Sequence, residues 1–230
     1  MKTRKGTVAL GYVHPADVSA YFCDALVKTI RADAVGQRRI ISVLQKFSSA
    51  NISGARNAIV RSMLDETAAE WLLMVDADMH WQPDDVDELL KYASPDKAPI
   101  VGGLCFGVED GTLFPTLYAF EQLEGSWDAK RFDTFPENAM FQVHGTGAAF
   151  LLVHRSVLEA VRDKAFNKTF PWFQEAEFGD GRACGEDVTF CLRAGMAGFP
   201  VFVHTGIEIG HHKSHVLTAG QYRQQRAAKE

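Results

Sequence analysis

The sequence predicts an α/β protein, a mostly parallel central sheet flanked by helices in a single domain. Two observations predict it. Strand-like and helix-like segments alternate from Thr7 to Cys105, and that order implies a parallel sheet with right-handed crossovers, a Rossmann-like arrangement. The run Trp71 to Val75 is apolar throughout and bounded by polar residues, which suits a strand buried on both faces. No GxGxxG turn follows the first strand, so a dinucleotide-binding fold of the usual kind is not expected.

Thr7 to Val13 is apolar and β-rich, a first strand that His14-Pro15 breaks. Apolar residues at 22, 26, 27 and 30 put Val18 to Arg31 on a helix, which Gly36 ends. Arg38 to Leu44 is a second strand, and FSSANISG a polar loop. Helical spacing resumes from Ala55 to Leu64. After the central strand, Pro83 opens a helix that runs to about Ala93. Further strands are expected at Ile100 to Cys105, Thr116 to Phe120, Met140 to Val143, Ala148 to Val153 and Pro200 to His204. The stretch EQLEGSWDAKRFDTFPENA is polar and turn-rich. Ser156 is the expected N-cap of a helix to about Val161, with Glu159 completing a capping box. NKTFPWFQEAEFGDGRACGED predicts a mobile loop rich in aromatics and acids, and Asp187 to Ala197 a helix.

The chain has 230 residues, 47% apolar and 23% charged, the balance of an ordinary globular protein with one full core. A net charge of -5 offers no general attraction to nucleic acid or an anionic membrane. No apolar run has the length of a membrane span, and the basic start leads into a strand rather than a signal peptide. A cytoplasmic protein without integral membrane association is expected. Cysteines 23, 105, 184 and 191 show no CxxC spacing and are expected to be reduced and mostly buried.

Asp76 and Asp78 close the central strand. Ligands gather at the carboxyl ends of strands in such sheets, and two acids there are candidates to hold a hard cation, Mg²⁺ or Mn²⁺, that in turn holds a phosphate-bearing ligand. Asp85 and Asp87 repeat the Asp-x-Asp spacing, but in the opening turns of a helix, where the helix dipole alone favours acids. Gly185-Glu186-Asp187 precedes a helix and reads either as an acidic cap or as a carboxylate base projecting into a cleft. His211 and His215 would share one face of a helix, a spacing that suits zinc only with partners from elsewhere. The simpler alternative is one histidine completing a site with Asp76 and Asp78, and the plainest is a solvated polar segment. Ala55-Arg56-Asn57 at a helix start suits an anionic ligand, or is an ordinary cap with a surface arginine.

Several segments, taken in order, resemble GT-A fold glycosyltransferases of the family-2-like group. They are SGARNAIVRSM, WLLMVDADM with QPDDVDELL, IVGGLC, HGTGAAFLLVHRSVLEAV, GEDVTFCLRAGMAGFPVFVHT and IGHH, spanning roughly residues 53 to 212. The compact length is similar to stand-alone enzymes of bacteria and their phages; for a phage protein the host cytoplasm would be the location. The resemblance implies a nucleotide-sugar donor, a UDP-sugar first and a GDP-sugar as the alternative, with Mn²⁺ or Mg²⁺ bridging its diphosphate. It implies metal contacts from Asp78 and His211, with His212 as the fallback, and metal or ribose contact from Asp76. Donor contacts are implied for His14, Pro15, Arg56, Ala77 and Gly103, and close backbone approach to the sugar for Gly102, Gly103, Gly145, Thr146 and Gly147. Asp187 corresponds to the base that deprotonates the acceptor hydroxyl in inverting members, and Glu186 to its assistant. Trp172 would offer an apolar face to a sugar, or be a core tryptophan. Residues 1–105 would form the donor and metal half, 106–215 the acceptor half, and 216–230 a tail.

The chain departs from the family in two places. No acid of the kind that reads the donor base follows the second strand, so uridine is not assured; and QYRQQR lacks the QxxRW pattern of processive synthases, which implies transfer of one sugar. Relatives with a late metal-binding histidine include retaining enzymes, so inversion through Asp187 stays open. A nucleotidyltransferase is the competing enzyme, though GYVHPADV is not its Gly-rich basic loop. A non-catalytic binding module is the other alternative. The acceptor is left among a glycan, a protein, a metabolite and a modified nucleobase. Lys213, Arg223, Arg226 and Lys229 make the C-terminal end basic, either a lid over bound donor or a frayed terminus.

Overall fold

A computed structural model describes residues 6–109, 111–123, 126–177 and 183–214. The first half runs β1 (Val8–His14), α1 (Ala20–Val35), β2 (Ile40–Phe47), α2 (Ile52–Glu66), β3 (Trp71–Asp76), β4 (Met79–His80), α3 (Pro83–Tyr92) and β5 (Ile100–Leu104). The second runs β6 (Phe106–Glu109), β7 (Thr112–Pro115), β8 (Leu117–Leu123), β9 (Ser126–Arg131), β10 (Met140–Val143), β11 (Gly145–Thr146), β12 (Phe150–His154), α4 (Arg155–Lys164), β13 (Ala176–Glu177), β14 (Ala183–Cys184), α5 (Glu186–Met196), β15 (Val201–Glu208) and β16 (Gly210–His211).

Local chemistry sets the helix boundaries. Ser19 caps α1 by accepting from Tyr21 N, and Gly36 ends it. Asn51 caps α2, its Oδ1 taking Gly54 N at 2.8 Å. The helix therefore starts at Ile52, before the expected Ala55, because the asparagine lies inside the apparent loop. Pro83 opens α3, and Asp85 Oδ2 accepts from Gln82 N at 2.7 Å. The cap of α4 is His154, whose ring accepts from Ser156 N, and not Ser156 itself.

The central sheet has the order β10-β15-β5-β12-β3-β1-β2. Strands β1, β2, β3, β5 and β15 run one way. Two strands oppose them: β12, inserted between β3 and β5, and β10 at the edge. Strand β3 alternates as a doubly buried strand must. Leu72 and Met74 join the core beneath α2, α4 and α5, while Trp71, Leu73 and Val75 join the core beneath α1 and α3. Each of these large side chains contributes about 1.5–3 kcal/mol on burial. Helix α2 reaches β1 closely because Gly11 has no Cβ; one built there would lie 2.5 Å from Ile59 Cγ2.

Three features position the functional region. Val13 lies opposite Asp76, so β1 and β3 release their next residues along the same edge of the sheet. The short β4 pairs with β16, His211 opposite Met79, which brings the C-terminal histidine back to the end of β3. This segment is extended where a shared helical face was one expectation, and His215 lies outside the described residues. The polar stretch after Phe120 contains β9, which pairs with β8; its alternation of charged and apolar residues was masked by turn-forming neighbours. The aromatic segment expected to be a mobile loop is packed down at Trp172 and Phe173, 0% and 1% exposed.

Candidate functional site

A cleft of about 650 Å³ opens at the carboxyl ends of β1 and β3. Its walls include Pro15, Arg56, Asp76, Ala77, Asp78 and His211, together with Asp17, Ser48, Ser49, His212 and Lys213. Asp78 Oδ2 meets His211 Nε2 at 3.0 Å and Lys213 Nζ at 2.9 Å. Burial opposes the charged carboxylate, but hydrogen bonds from His211 and Lys213 and their charge hold its pKa down to about 2. His211 is pushed up from its ordinary value, first by its hydrogen bond to Asp78, with burial opposing.

The tautomer of His211 follows from its other nitrogen. Nδ1 lies 2.8 Å from Phe106 O, a pure acceptor, so Nδ1 carries a proton and donates. Nε2 then turns its lone pair to Asp78, another acceptor. Two acceptors at that distance need a cation between them, a proton on Nε2 or a metal ion. A histidine anchored through Nδ1 by a backbone carbonyl is how ligating imidazoles are oriented. Among the described residues no group of three or more His, Cys, Asp or Glu side chains converges as a metal site. Asp78 and His211 would thus supply two ligands, leaving the rest to water and substrate oxygens, as suits Mg²⁺ or Mn²⁺. The ring of His212 lies 5.1 Å from that of Tyr21, and its backbone N–H donates to Asp78 O at 2.8 Å.

Arg56 is a buried hub and not a surface arginine; it is 4% exposed. Nη2 donates to Asp76 Oδ1 at 2.5 Å and Nη1 to Glu186 Oε1. Burial would lower its pKa, but Asp76, Glu186 and Asp187 together raise it, so the guanidinium stays charged. Its Nε is buried without a hydrogen-bond partner. Both Nη atoms of Arg56, for which donor-phosphate contact was the expectation, are directed at these two carboxylates, and one oxygen of Asp76 is committed in the same way. Glu186 is raised in pKa, by burial first and by Asp187, with Arg56 opposing.

Asp187 opens α5 beside Glu186, and neither lines this cleft. Its Oδ1 accepts from Val188 N at 2.7 Å, and its Oδ2 would lie 3.5 Å from a Cβ placed on Gly147. Gly147 also faces Thr116 Oγ1, so this small residue leaves the carboxylate open to an approaching group. Tyr118 feels the charge of Asp187, though burial is the main cause of its raised pKa.

Other expected site residues lie elsewhere. Trp172 is a core residue, its Nε1 donating to Leu158 O at 2.7 Å, so it presents no face to a sugar. Gly103 is closed over by packing: a Cβ there would meet Ile209 Cγ1 at 2.7 Å and Phe150 Cδ1 at 3.2 Å. Gly102 is likewise buried, against Leu151 and Val203. Thr146 is 1% exposed on β11, and Gly145 lies under Phe120 and Val188. His14 stands beside the cleft, its ring 6.0 Å from Phe47. His204 is buried against Tyr92. Cys105, Cys184 and Cys191 are buried free thiols, as expected, and Cys23 is exposed. The Phe106 carbonyl and the contact of Lys213 with Asp78 carried no signal in the sequence, since only the β4–β16 pairing creates them.

No protein-family model and no curated protein matches the chain by sequence. Solved structures similar to it include the following two. A197 from STIV superposes with a TM-score of 0.58 at 15% identity, over 92% of this chain and 97% of that one. GalNAc-T7, solved with UDP, GalNAc and Mn²⁺, superposes with a TM-score of 0.57 at 11% identity, over 89% of this chain. The chain spans 43% of that GalNAc-T7 chain. At these identities the likeness establishes the fold alone, a GT-A-like α/β fold.

Proposed function

We propose that the protein is a metal-dependent glycosyltransferase that moves one sugar from a nucleotide-sugar donor to a hydroxyl acceptor. The observation that carries this proposal is the Asp78–His211 pair at the end of β3, with His211 anchored by Phe106 O so that Nε2 faces the carboxylate. Asp78 and His211 would hold Mn²⁺ or Mg²⁺, which supplies charge neutralisation to the departing diphosphate. The cleft of about 650 Å³ beside them has room for a nucleoside diphosphate, and Pro15, Ala77, Ser48 and Ser49 are among the residues that would line it. A UDP-sugar is the first candidate donor, supported by UDP in the GalNAc-T7 structure, and a GDP-sugar the second.

Asp187 is the candidate base. Its carboxylate takes the proton of the acceptor hydroxyl while the acceptor oxygen bonds to the anomeric carbon. The bond from that carbon to the diphosphate oxygen breaks, its electron pair leaving with the nucleoside diphosphate, and configuration inverts. Arg56 holds Asp76 and Glu186, and so ties the start of α5 to the end of β3. Glu186 is therefore a positioning residue. In this scheme residues 1–105 form the donor half and 106–215 the acceptor half. The acceptor remains one of the classes named above; no helix among the described residues is long and apolar enough to cross a membrane.

The test is a donor screen. The protein is incubated with a panel of nucleotide sugars and Mn²⁺ or Mg²⁺, and released nucleoside diphosphate is measured beside Asp78→Ala. Release that needs both metal and Asp78 is expected. No release with any donor, and no thermal stabilisation by nucleoside diphosphate plus metal, overturns the proposal in favour of a binding module.

A further inference from the structure

The cleft has a shortage of free positive charge. Arg56 and Lys213 are the only Lys or Arg among the described residues that line it. Arg56 is committed to two carboxylates. Lys213 is the remaining one, and its ammonium sits 2.9 Å from Asp78 Oδ2, the same oxygen that faces His211. A divalent cation on Asp78 and an ammonium at that distance repel each other, so both cannot hold this oxygen. Lysine is a compact charge on a flexible stem with three donors, suited to moving between anionic partners. Its side chain is 42% exposed and lines both this cleft and a smaller adjoining one of about 390 Å³.

We propose that Lys213 is a counter-cation with two positions. Without metal it occupies the cation's place on Asp78; with metal and diphosphate bound it leaves Asp78 and pairs with the diphosphate oxygens. The proposal rests on the glycosyltransferase reading of the same site. It makes Lys213 an obstacle to free metal and an aid to donor, two effects of opposite sign on one side chain. A residue with a purely structural role would shift both in the same direction or neither.

The test uses the full chain as wild type, Lys213→Met and Lys213→Arg. Mn²⁺ affinity is measured by the electron paramagnetic resonance of free Mn²⁺, and UDP affinity by calorimetry in saturating Mn²⁺. A partly exposed ion pair of this kind sets the scale at about two- to five-fold. Lys213→Met is expected to bind Mn²⁺ alone more tightly by about that factor and UDP with Mn²⁺ more weakly by a similar one. Lys213→Arg keeps the charge and should stay near wild type in both. Unchanged or weaker Mn²⁺ binding by Lys213→Met overturns the blocking position, and unchanged UDP binding overturns the diphosphate position. If wild type binds Mn²⁺ and UDP while Lys213→Met shifts neither, only the role of Lys213 fails. If wild type binds neither, the glycosyltransferase reading fails with it.

Discussion

Asp76-Ala77-Asp78 and Asp85-Val86-Asp87 share one local pattern and have opposite fates. Asp85 closes a capping box at the start of α3, and Asp87 forms a 2.9 Å surface pair with Arg39. Asp76 instead meets the buried Arg56, and Asp78 meets His211, 133 residues away in sequence. The difference arises from what precedes each pair. A helix start consumes its acids locally, because its free N–H groups and dipole satisfy them. A buried strand offers its acids nothing local, so they take partners from across the fold. The spacing of two carboxylates therefore says little until the element that delivers them is known.

Exchanging the two pairs in function should be impossible, and that is the sharpest way to break the comparison. Asp78→Ala is expected to lower the proposed transferase activity by about 10²–10³-fold, the scale on which a preorganised charge-stabilising group acts. Asp87→Ala should leave activity within two-fold or so, since a surface pair contributes about 0.2–1 kcal/mol to stability only. Equal losses in a steady-state assay of both variants would erase the distinction.

Arg56→Met addresses the other acid of the first pair. It leaves Asp76 and Glu186 without their cation, and a loss of about 3 kcal/mol or more is expected in urea unfolding. Arg39→Met, which unpairs Asp87 at the surface, should cost less than about 1 kcal/mol in the same titration.

The first pair should also respond to pH in a way the second does not. His211 is raised in pKa by Asp78, so its stabilising contribution is complete below its ordinary value and is lost as pH rises through the raised one. Asp78 is depressed to about 2, so its contribution is present above its ordinary value and lost as pH falls toward 2. In the proposed site a metal ion would have to displace the proton from Nε2. Mn²⁺ affinity should therefore climb with pH, by up to about tenfold per unit below the pKa of His211, and level off above it. Calorimetry across pH 5.5–8.5 (roughly the span that brackets an imidazole) should show that slope in wild type and a flatter one in His211→Gln. The smallest effect belongs to Asp85→Ala, a lost cap worth about 1 kcal/mol, read as a lower melting temperature with Mn²⁺ affinity unchanged.

Much of this was legible in the chain because the signals were local. The apolar run of β3, the Pro83 start of α3 and the Gly36 stop all state their roles within a few residues, and the strand before them places the acids at 76 and 78. Periodicity and capping depend on neighbours along the backbone, so the sequence by itself determined the alternating α/β elements and the carboxylates at a strand end. Its errors were also local in kind: Asn51 and not Ala55 marks the start of α2, and His154 and not Ser156 caps α4, because a cap is defined by where a side chain turns.

Only the tertiary structure decided the rest. It reversed β12 and set it between β3 and β5, buried Trp172, and filled the space over Gly103 with Ile209 and Phe150. It spent Arg56 on Asp76 and Glu186, 20 and 130 residues away, and set the ring of His211 against Asp78 by pairing β16 with β4. The physical reason is common to all of them. An aromatic ring, a glycine or a charge is compatible with several environments, and its partner is selected by packing and charge pairing between distant segments, which no window along the chain contains.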